Sequence, residues 1–172
     1  LERFIVHSDI NHCFAQIEEM KHPHLKDLPM CVGGSADERN GIVLARNLKA
    51  KAYGVATAET LVSARKKCPN LVVVRPVYED YLYYSNKVKD IYREYTDKVE
   101  SFGIDEAWFD LTHSSRLFGD LMVLAKTIQT RVLDEIGLTV SMGISWNKIF
   151  AKLGSDMVKP SGFTNISKEN YK

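Results

Sequence analysis

Phe102-Gly103-Ile104-Asp105-Glu106-Ala107-Trp108-Phe109-Asp110 is the stretch that decides how this chain folds. Val99 to Ile104 and Ala107 to Phe109 read as two strands, with the acidic pair Asp105-Glu106 in the tight turn between them. Near the chain start, the apolar run Phe4-Ile5-Val6 reads as a further short strand that closes on Asp9. Two neighbouring strand ends would bring these three carboxylates together. Such a set forms a hard-oxygen cage suited to Mg²⁺. Two metals about 3.5–4 Å apart clamp the attacking and leaving oxygens of an in-line phosphoryl transfer. Solvated turn residues are the plainer reading of the carboxylates taken alone, because acidic turns are common.

Working outward, Cys13 to Met20 reads as a short helix stopped before Pro23. Pro29 to Val32 and Gly41 to Ala45 are short strand candidates around a turn-rich loop, Gly33 to Asn40. Asn47 to Ala52 and Thr60 to Lys67 read as short helices, and Leu71 to Val74 as a brief strand. Tyr81, Tyr84, Val88, Ile91 and Tyr95 recur at helical spacing, as do Leu117, Leu121, Leu124, Ile128 and Val132 before Gly137. At that spacing the tyrosines are core packing rather than a base-stacking stripe. Val140, Met142 and Ile144 alternate as a strand. Ser145 is then the expected N-cap of a helix from Trp146 to Met157. The pattern is α+β: two layers, an antiparallel or mixed sheet with two long helices on one face, and a small α/β unit inserted after the first strand.

Composition excludes several classes. The chain has 172 residues, 45% hydrophobic and 26% charged, which suits one or two globular domains. No apolar run approaches the roughly 20 residues of a membrane span, and no signal peptide is visible. Cys13, Cys31 and Cys68 are odd in number and lack metal-site spacing, so they read as reduced thiols of a cytoplasmic protein. The five histidines lack metal-ligand spacing too: His7 reads as packed, and His22 and His24 as loop residues.

Four motifs stand in order: Ile5-Val6-His7-Ser8-Asp9-Ile10-Asn11-His12-Cys13-Phe14, the acidic hairpin quoted above, Gly143-Ile144-Ser145-Trp146-Asn147-Lys148, and Asp156-Met157-Val158-Lys159-Pro160-Ser161-Gly162. Together they closely resemble the Y-family, DinB-type (polymerase IV-like) translesion DNA polymerases, in the branch found in Gram-positive bacteria. The resemblance runs from about residue 4 to residue 166. It implies a palm from residues 1–12 and 76–166, fingers from 13–75, and the start of a linker to a thumb in 167–172. The family continues into a helical thumb and a basic DNA-gripping domain, so the chain reads as its palm and fingers, expected to be weakly active or inactive as a polymerase without them. A formal net charge of only +1 fits that reading, since phosphate neutralisation drives non-specific DNA affinity.

The resemblance also implies roles. Asp9, Asp105 and Glu106 would be catalytic ligands of two Mg²⁺ ions, with Mn²⁺ able to substitute, and Ile10 would add its backbone carbonyl. Asn11 stands where the family has Asp or Asn. Phe14 matches the steric gate, an aromatic ring under the sugar that clashes with a ribose 2′-OH, and Cys13 stands where the family has Phe or Tyr. Many members have Tyr and Arg in the triphosphate-binding segment. Here Leu48 and Lys51 replace them, with Arg46 nearby, and Lys49 reads as a solvated helix face. Lys159 matches a triphosphate-contacting lysine. Ser145, Asn147 and Lys148 open a helix whose N-terminal amides favour a DNA or nucleotide phosphate, or they simply cap it. The partners implied are primer–template DNA, dNTP and, in the full protein, a sliding clamp.

Two other functions compete. A diguanylate-type nucleotidyl cyclase shares a palm-like sheet with an acidic hairpin. However, 96 positions separate Asp9 from Asp105, enough for an inserted unit that cyclases lack. An inactive DNA- or partner-binding module would show the loss of at least one of the three carboxylates, and all three are present.

Overall fold

In a computed structural model that describes residues 2–34 and 41–171, strands and helices follow one another from end to end. They are β1 (Ile5–Ile10), α1 (Cys13–Lys21), β2 (Met30–Gly33), β3 (Val43–Arg46), α2 (Leu48–Ala52), α3 (Leu61–Lys67), β4 (Val72–Val74) and α4 (Tyr78–Arg93). Then come β5 (Val99–Phe102), β6 (Glu106–Asp110), α5 (Ser115–Phe118), α6 (Leu121–Ile136), β7 (Val140–Ser145), α7 (Lys148–Met157) and β8 (Phe163–Asn165). Most of the expected turn-rich loop, residues 35–40, lies outside the described residues. The chain divides into two compact units, Leu1–Asn11 with Leu82–Lys172, and His12–Tyr81.

The first unit holds a five-stranded sheet in the order β5-β6-β1-β7-β8. β1 sits in the middle, antiparallel to β6 and β7, while β8 runs parallel to β7. Alternate β1 residues point to opposite faces. On one face the Ser8 hydroxyl meets the Tyr92 hydroxyl of α4 at 2.7 Å. α6 shares that face, because Arg131 bonds Glu94 at 2.6 Å and Tyr95 at 2.7 Å just beyond α4. Both long helices bury their apolar stripes there, through Val88, Ile91, Tyr92, Leu124, Ile128 and Val132.

Three expectations need correction. The sheet is not covered on one face only: α7 lies across the other face of β1 and β7, with Ser155 Oγ 2.7 Å from His7 Nδ1. For that reason every residue of β7 is buried, including Ser141, Gly143 and Ser145, rather than every second one. Ser145 still belongs to β7, its hydroxyl donating to the Ile166 carbonyl at 2.7 Å, and Asn147 is the residue that caps α7 by accepting from Phe150 N–H at 2.9 Å. Leu117 falls in the separate short helix α5, 83% exposed, because the chain breaks at Gly119 with φ 81° before Asp120 caps α6. Residues beyond 166 pack back on this unit, with the Tyr171 ring 5.7 Å from Trp146 and 5.8 Å from Phe150.

α7 can approach β7 only because glycine lies at the crossing. A Cβ on Gly143 would sit 1.9 Å from the Ala151 carbonyl oxygen. A Cβ on Gly162 would sit 1.9 Å from the Val158 oxygen, so the chain leaving α7 turns back just as tightly.

The second unit builds its own core from Cys31, Val43, Ala50, Val55, Leu61, Ala64, Cys68 and Leu71 beneath a three-stranded sheet, β3-β2-β4. The start of α4 belongs here rather than with the larger sheet. Tyr81 stacks on Phe14 at 4.3 Å and donates its hydroxyl to Glu18 at 2.7 Å. Buried Asn47 is the polar node of this unit. Its Oδ1 accepts from Met30 N–H at 3.0 Å and caps α2 through Ala50 N–H at 2.9 Å, and its Nδ2 donates to Glu19 and to the Leu28 carbonyl. Asn47→Ala strands these groups away from water and should cost about 2 kcal/mol. In a 172-residue chain that lowers the melting temperature by roughly 4–8 °C, read by calorimetry.

Candidate active site

Local causes bring the three carboxylates to one end of the five-stranded sheet. Asp9 lies opposite Glu106 in the β1–β6 ladder. Gly103 takes φ 69°, a left-handed conformation that suits glycine, and so turns the hairpin. At its tip the Asp105 carbonyl accepts the Ile10 N–H at 2.9 Å. α4 holds the tip from behind. Buried Lys89 donates to the Gly103 carbonyl at 2.9 Å and to Ser101 Oγ at 2.6 Å, and the Ser85 hydroxyl donates to the Ile104 carbonyl. The Ile10 side chain is buried, so only its backbone is offered at the site.

Charge is crowded here. Burial pushes the Asp9 carboxyl above the usual range, and the Asp105 and Glu106 charges add to this while Lys159 opposes it. Burial raises the Asp105 carboxyl as well, with Glu106 again adding. Two lysines from α7 and its exit meet this charge. Lys152 Nζ contacts Glu106 Oε1. Lys159 Nζ contacts Asp9 and lies 2.9 Å from Asp156 Oδ1. Burial works to lower the Lys159 pKa, but the bonds to Asp9 and Asp156 outweigh it and raise the value.

Lys159 is placed by a segment that Asn11 pins. Asn11 Oδ1 accepts from Ser161 N–H at 2.9 Å and from the Thr139 hydroxyl at 3.1 Å, and its Nδ2 donates to Ser141 Oγ at 2.8 Å. From α6, Gln129 Nε2 donates to the Gly162 and Val140 carbonyls, each at 2.9 Å. Asn11, Lys89, Lys152 and Gln129 are thus working parts that sequence reading left without a role. Of these, only Asn11 stands out in the sequence, at a motif position where the family has Asp or Asn.

Among the described residues, no three His, Cys, Asp or Glu side chains form a ready metal cage. Asp9 is turned to Lys159 and Glu106 to Lys152. The donor chemistry nevertheless fits Mg²⁺ or Mn²⁺: carboxylate oxygens at a partly open strand end, with no sulfur or imidazole required.

Other expected site residues are placed as follows. Cys13 is 5% exposed, at the start of α1. Phe14 is half-buried, stacked on Tyr81 and edge-on to Tyr78 at 5.7 Å. Arg46 Nη1 donates to Thr57 Oγ1 at 2.7 Å, while its buried Nε has no partner. Lys51 is exposed on α2, and Lys49 donates to the Asp27 carbonyl at 2.9 Å. Ser145 is 4% exposed, its hydroxyl donating to the Ile166 carbonyl. Asn147 spends its Oδ1 on the α7 cap, and Lys148 pairs with Glu100 at 2.5 Å over the Trp108 ring.

A match to the model of the impB/mucB/samB family covers residues 8–156. The chain belongs to this family. A relative from Acetivibrio thermocellus, named DNA polymerase IV, is 48% identical over 172 residues, covering all of this chain and 43% of that protein. DNA polymerase IV 2 of Bacillus subtilis is 40% identical, covering 99% of this chain and 42% of its own length. The solved structure of DinB from Sulfolobus solfataricus superposes with a TM-score of 0.88 at 29% identity, over 96% of this chain and 49% of that one. A structure titled as the insertion ternary complex of Dbh DNA polymerase gives 0.88 at 28% identity, over 97% and 49%. The chain spans somewhat under half the length of the relatives it matches. The Y-family resemblance and the mixed α+β architecture are therefore established, and the family match sets the cyclase reading aside. Among the described residues no helix is long and apolar enough to cross a membrane.

Proposed function

We propose that this chain carries the catalytic face of a DNA-directed DNA polymerase of the low-fidelity, lesion-bypass type. The observation that carries the reading is the set of three crowded carboxylates at the joined ends of β1 and the β5–β6 hairpin, countered by two lysines. The larger unit would be the palm and the smaller the fingers. Asp9, Asp105, Glu106 and the Ile10 carbonyl would hold two Mg²⁺ ions. Bound there, the metals supply activation of a primer 3′-OH and neutralisation of the departing pyrophosphate.

The protein's own groups do the rest. Lys159, now on Asp9, would exchange that carboxylate for the triphosphate of a dNTP and so couple nucleotide arrival to release of Asp9. Arg46, with an unpartnered Nε, and exposed Lys51 are the cations of the smaller unit suited to phosphate. Phe14 would select the sugar. Its ring is held by Tyr81 and Tyr78, so it cannot swing away from a 2′-OH without losing both contacts.

Primer extension tests this reading. The palm-and-fingers chain alone should extend a primed template with dNTP and Mg²⁺ only weakly, and in a version carried on into the family's thumb and DNA-gripping domain Phe14→Ala should raise ribonucleotide use at least about tenfold while leaving dNTP use nearly intact, because a clash is removed rather than an attraction. Absence of templated extension by the longer version would sink the activity. Unchanged ribonucleotide discrimination would sink only the role of Phe14.

A further inference from the structure

His7 is fully buried in the middle of β1, and the reaction outlined above gives it no task. Its two ring nitrogens face different partners. Nδ1 lies 2.7 Å from Ser155 Oγ, and Nε2 lies 3.3 Å from Glu106 Oε1 without reaching hydrogen-bond geometry, so it is a buried nitrogen with no partner. A neutral imidazole carries one ring proton.

Where that proton sits follows from Ser155. Its hydroxyl also lies 2.8 Å from the Lys152 carbonyl and can serve only one of the two acceptors. The Lys152 carbonyl is inside α7, where the helical ladder already supplies a donor. Giving the hydroxyl proton to His7 Nδ1 leaves the ring proton on Nε2, aimed at the Glu106 carboxylate. The other tautomer would press a buried lone pair against a carboxylate oxygen, leaving it both unsatisfied and repelled.

We propose that Ser155 and His7 form a relay that positions Glu106, with Ser155 fixing the tautomer and His7 donating its Nε2 proton to the carboxylate. Lys152 and His7 then hold the same oxygen from two sides. Were Glu106 to ligate a metal and Lys152 to let go, His7 would remain as its fixed donor. Outer hydrogen bonds of this kind orient ligating carboxylates and typically change metal affinity 10–100-fold. His7 is a positioning residue here, and the inference rests on the metal reading of Glu106.

Two measurements test it. In the unmodified protein, long-range ¹H–¹⁵N correlation should show the Nε2-protonated tautomer of His7, and the Nδ1-protonated tautomer would overturn the relay. Mn²⁺ affinity, read by electron paramagnetic resonance with a non-hydrolysable dNTP, separates positioning from packing. His7→Gln keeps a donor near Nε2 and should stay within about threefold of the parent. His7→Asn keeps the Ser155 contact but not the Glu106 donor, and should bind Mn²⁺ at least about tenfold more weakly with KM for dNTP little changed. A purely structural role would favour Asn at least as much as Gln, and that result overturns the proposal. Glu106→Gln is the reference. If it weakens Mn²⁺ binding and His7→Asn does not, the relay fails alone. If Glu106→Gln has no effect, the metal role of Glu106 fails first.

Discussion

Asp105→Asn should reduce metal-dependent primer extension by about 10³-fold or more and, measured without metal, should raise the melting temperature. The two effects have one cause. Burial and the neighbouring Glu106 raise the Asp105 pKa, so the folded protein tolerates that negative charge less well than the unfolded chain does. The sign follows from linkage. A carboxyl raised on folding binds more protons in the folded state, so its stabilising contribution is present at low pH and is lost as pH rises through the folded pKa. At neutral pH the charge is a net cost, which asparagine removes. The same charge is what a metal would need, and a loss of 10³-fold corresponds to about 4 kcal/mol of barrier. Thermal melts with and without Mn²⁺, beside primer extension, check both halves. A variant that melts lower without metal would contradict the electrostatic account even if activity vanished.

Gly143→Ala carries the largest expected stability loss. Its Cβ would lie 1.9 Å from the Ala151 oxygen and 2.3 Å from the Ser155 nitrogen, both backbone atoms that no side-chain rotation can move. Either α7 lifts from β7 or the strand bows. Overpacking of this kind costs about 3 kcal/mol or more, a drop of roughly 6–12 °C in melting temperature for a chain of this length. Lifting α7 also withdraws Lys152 and Ser155, so Mn²⁺ affinity should fall in protein that remains folded. Gly54, whose nearest neighbour to an added Cβ is a lysine side-chain carbon at 4.0 Å, gives the contrast. Alanine there should cost only the strain of its positive φ.

The parts of the site legible in the sequence were those set by local rules. Asp9 ends a strand, and Asp105 follows a glycine that turns a hairpin, so periodicity and turn chemistry locate both. The long helices announce themselves through stripes such as Val88 and Ile91. Long-range pairing was not legible. Nothing near Lys152 in the chain marks it as the partner of Glu106, 46 positions earlier, nor Ser155 as the partner of His7, 148 positions earlier. Ser145 misled for a related reason. A serine before an amphipathic run has the pattern of a cap, but a strand buried on both faces needs small residues, and the true cap, Asn147, came two residues later. Buried Lys89 ran against the usual rule that lysine faces water.

The crossing of α7 over β7 has a consequence for anyone building hybrids between relatives. Gly143, Lys152, Ser155, Lys159 and Gly162 lie within one continuous stretch, and each is held by a tight backbone approach or by a partner across the sheet. Residues 140–165 therefore form the smallest exchangeable piece. A transplant that takes the helix without its strand imports two ammonium groups at the wrong height over the carboxylates. One that takes the strand alone leaves the host helix to collide with it. Carried over whole, the block brings its own spacing with it, and what remains to be matched in the host is short: the histidine and aspartate of β1, the asparagine after it, the acidic hairpin, and the α6 glutamine that holds both ends of the block.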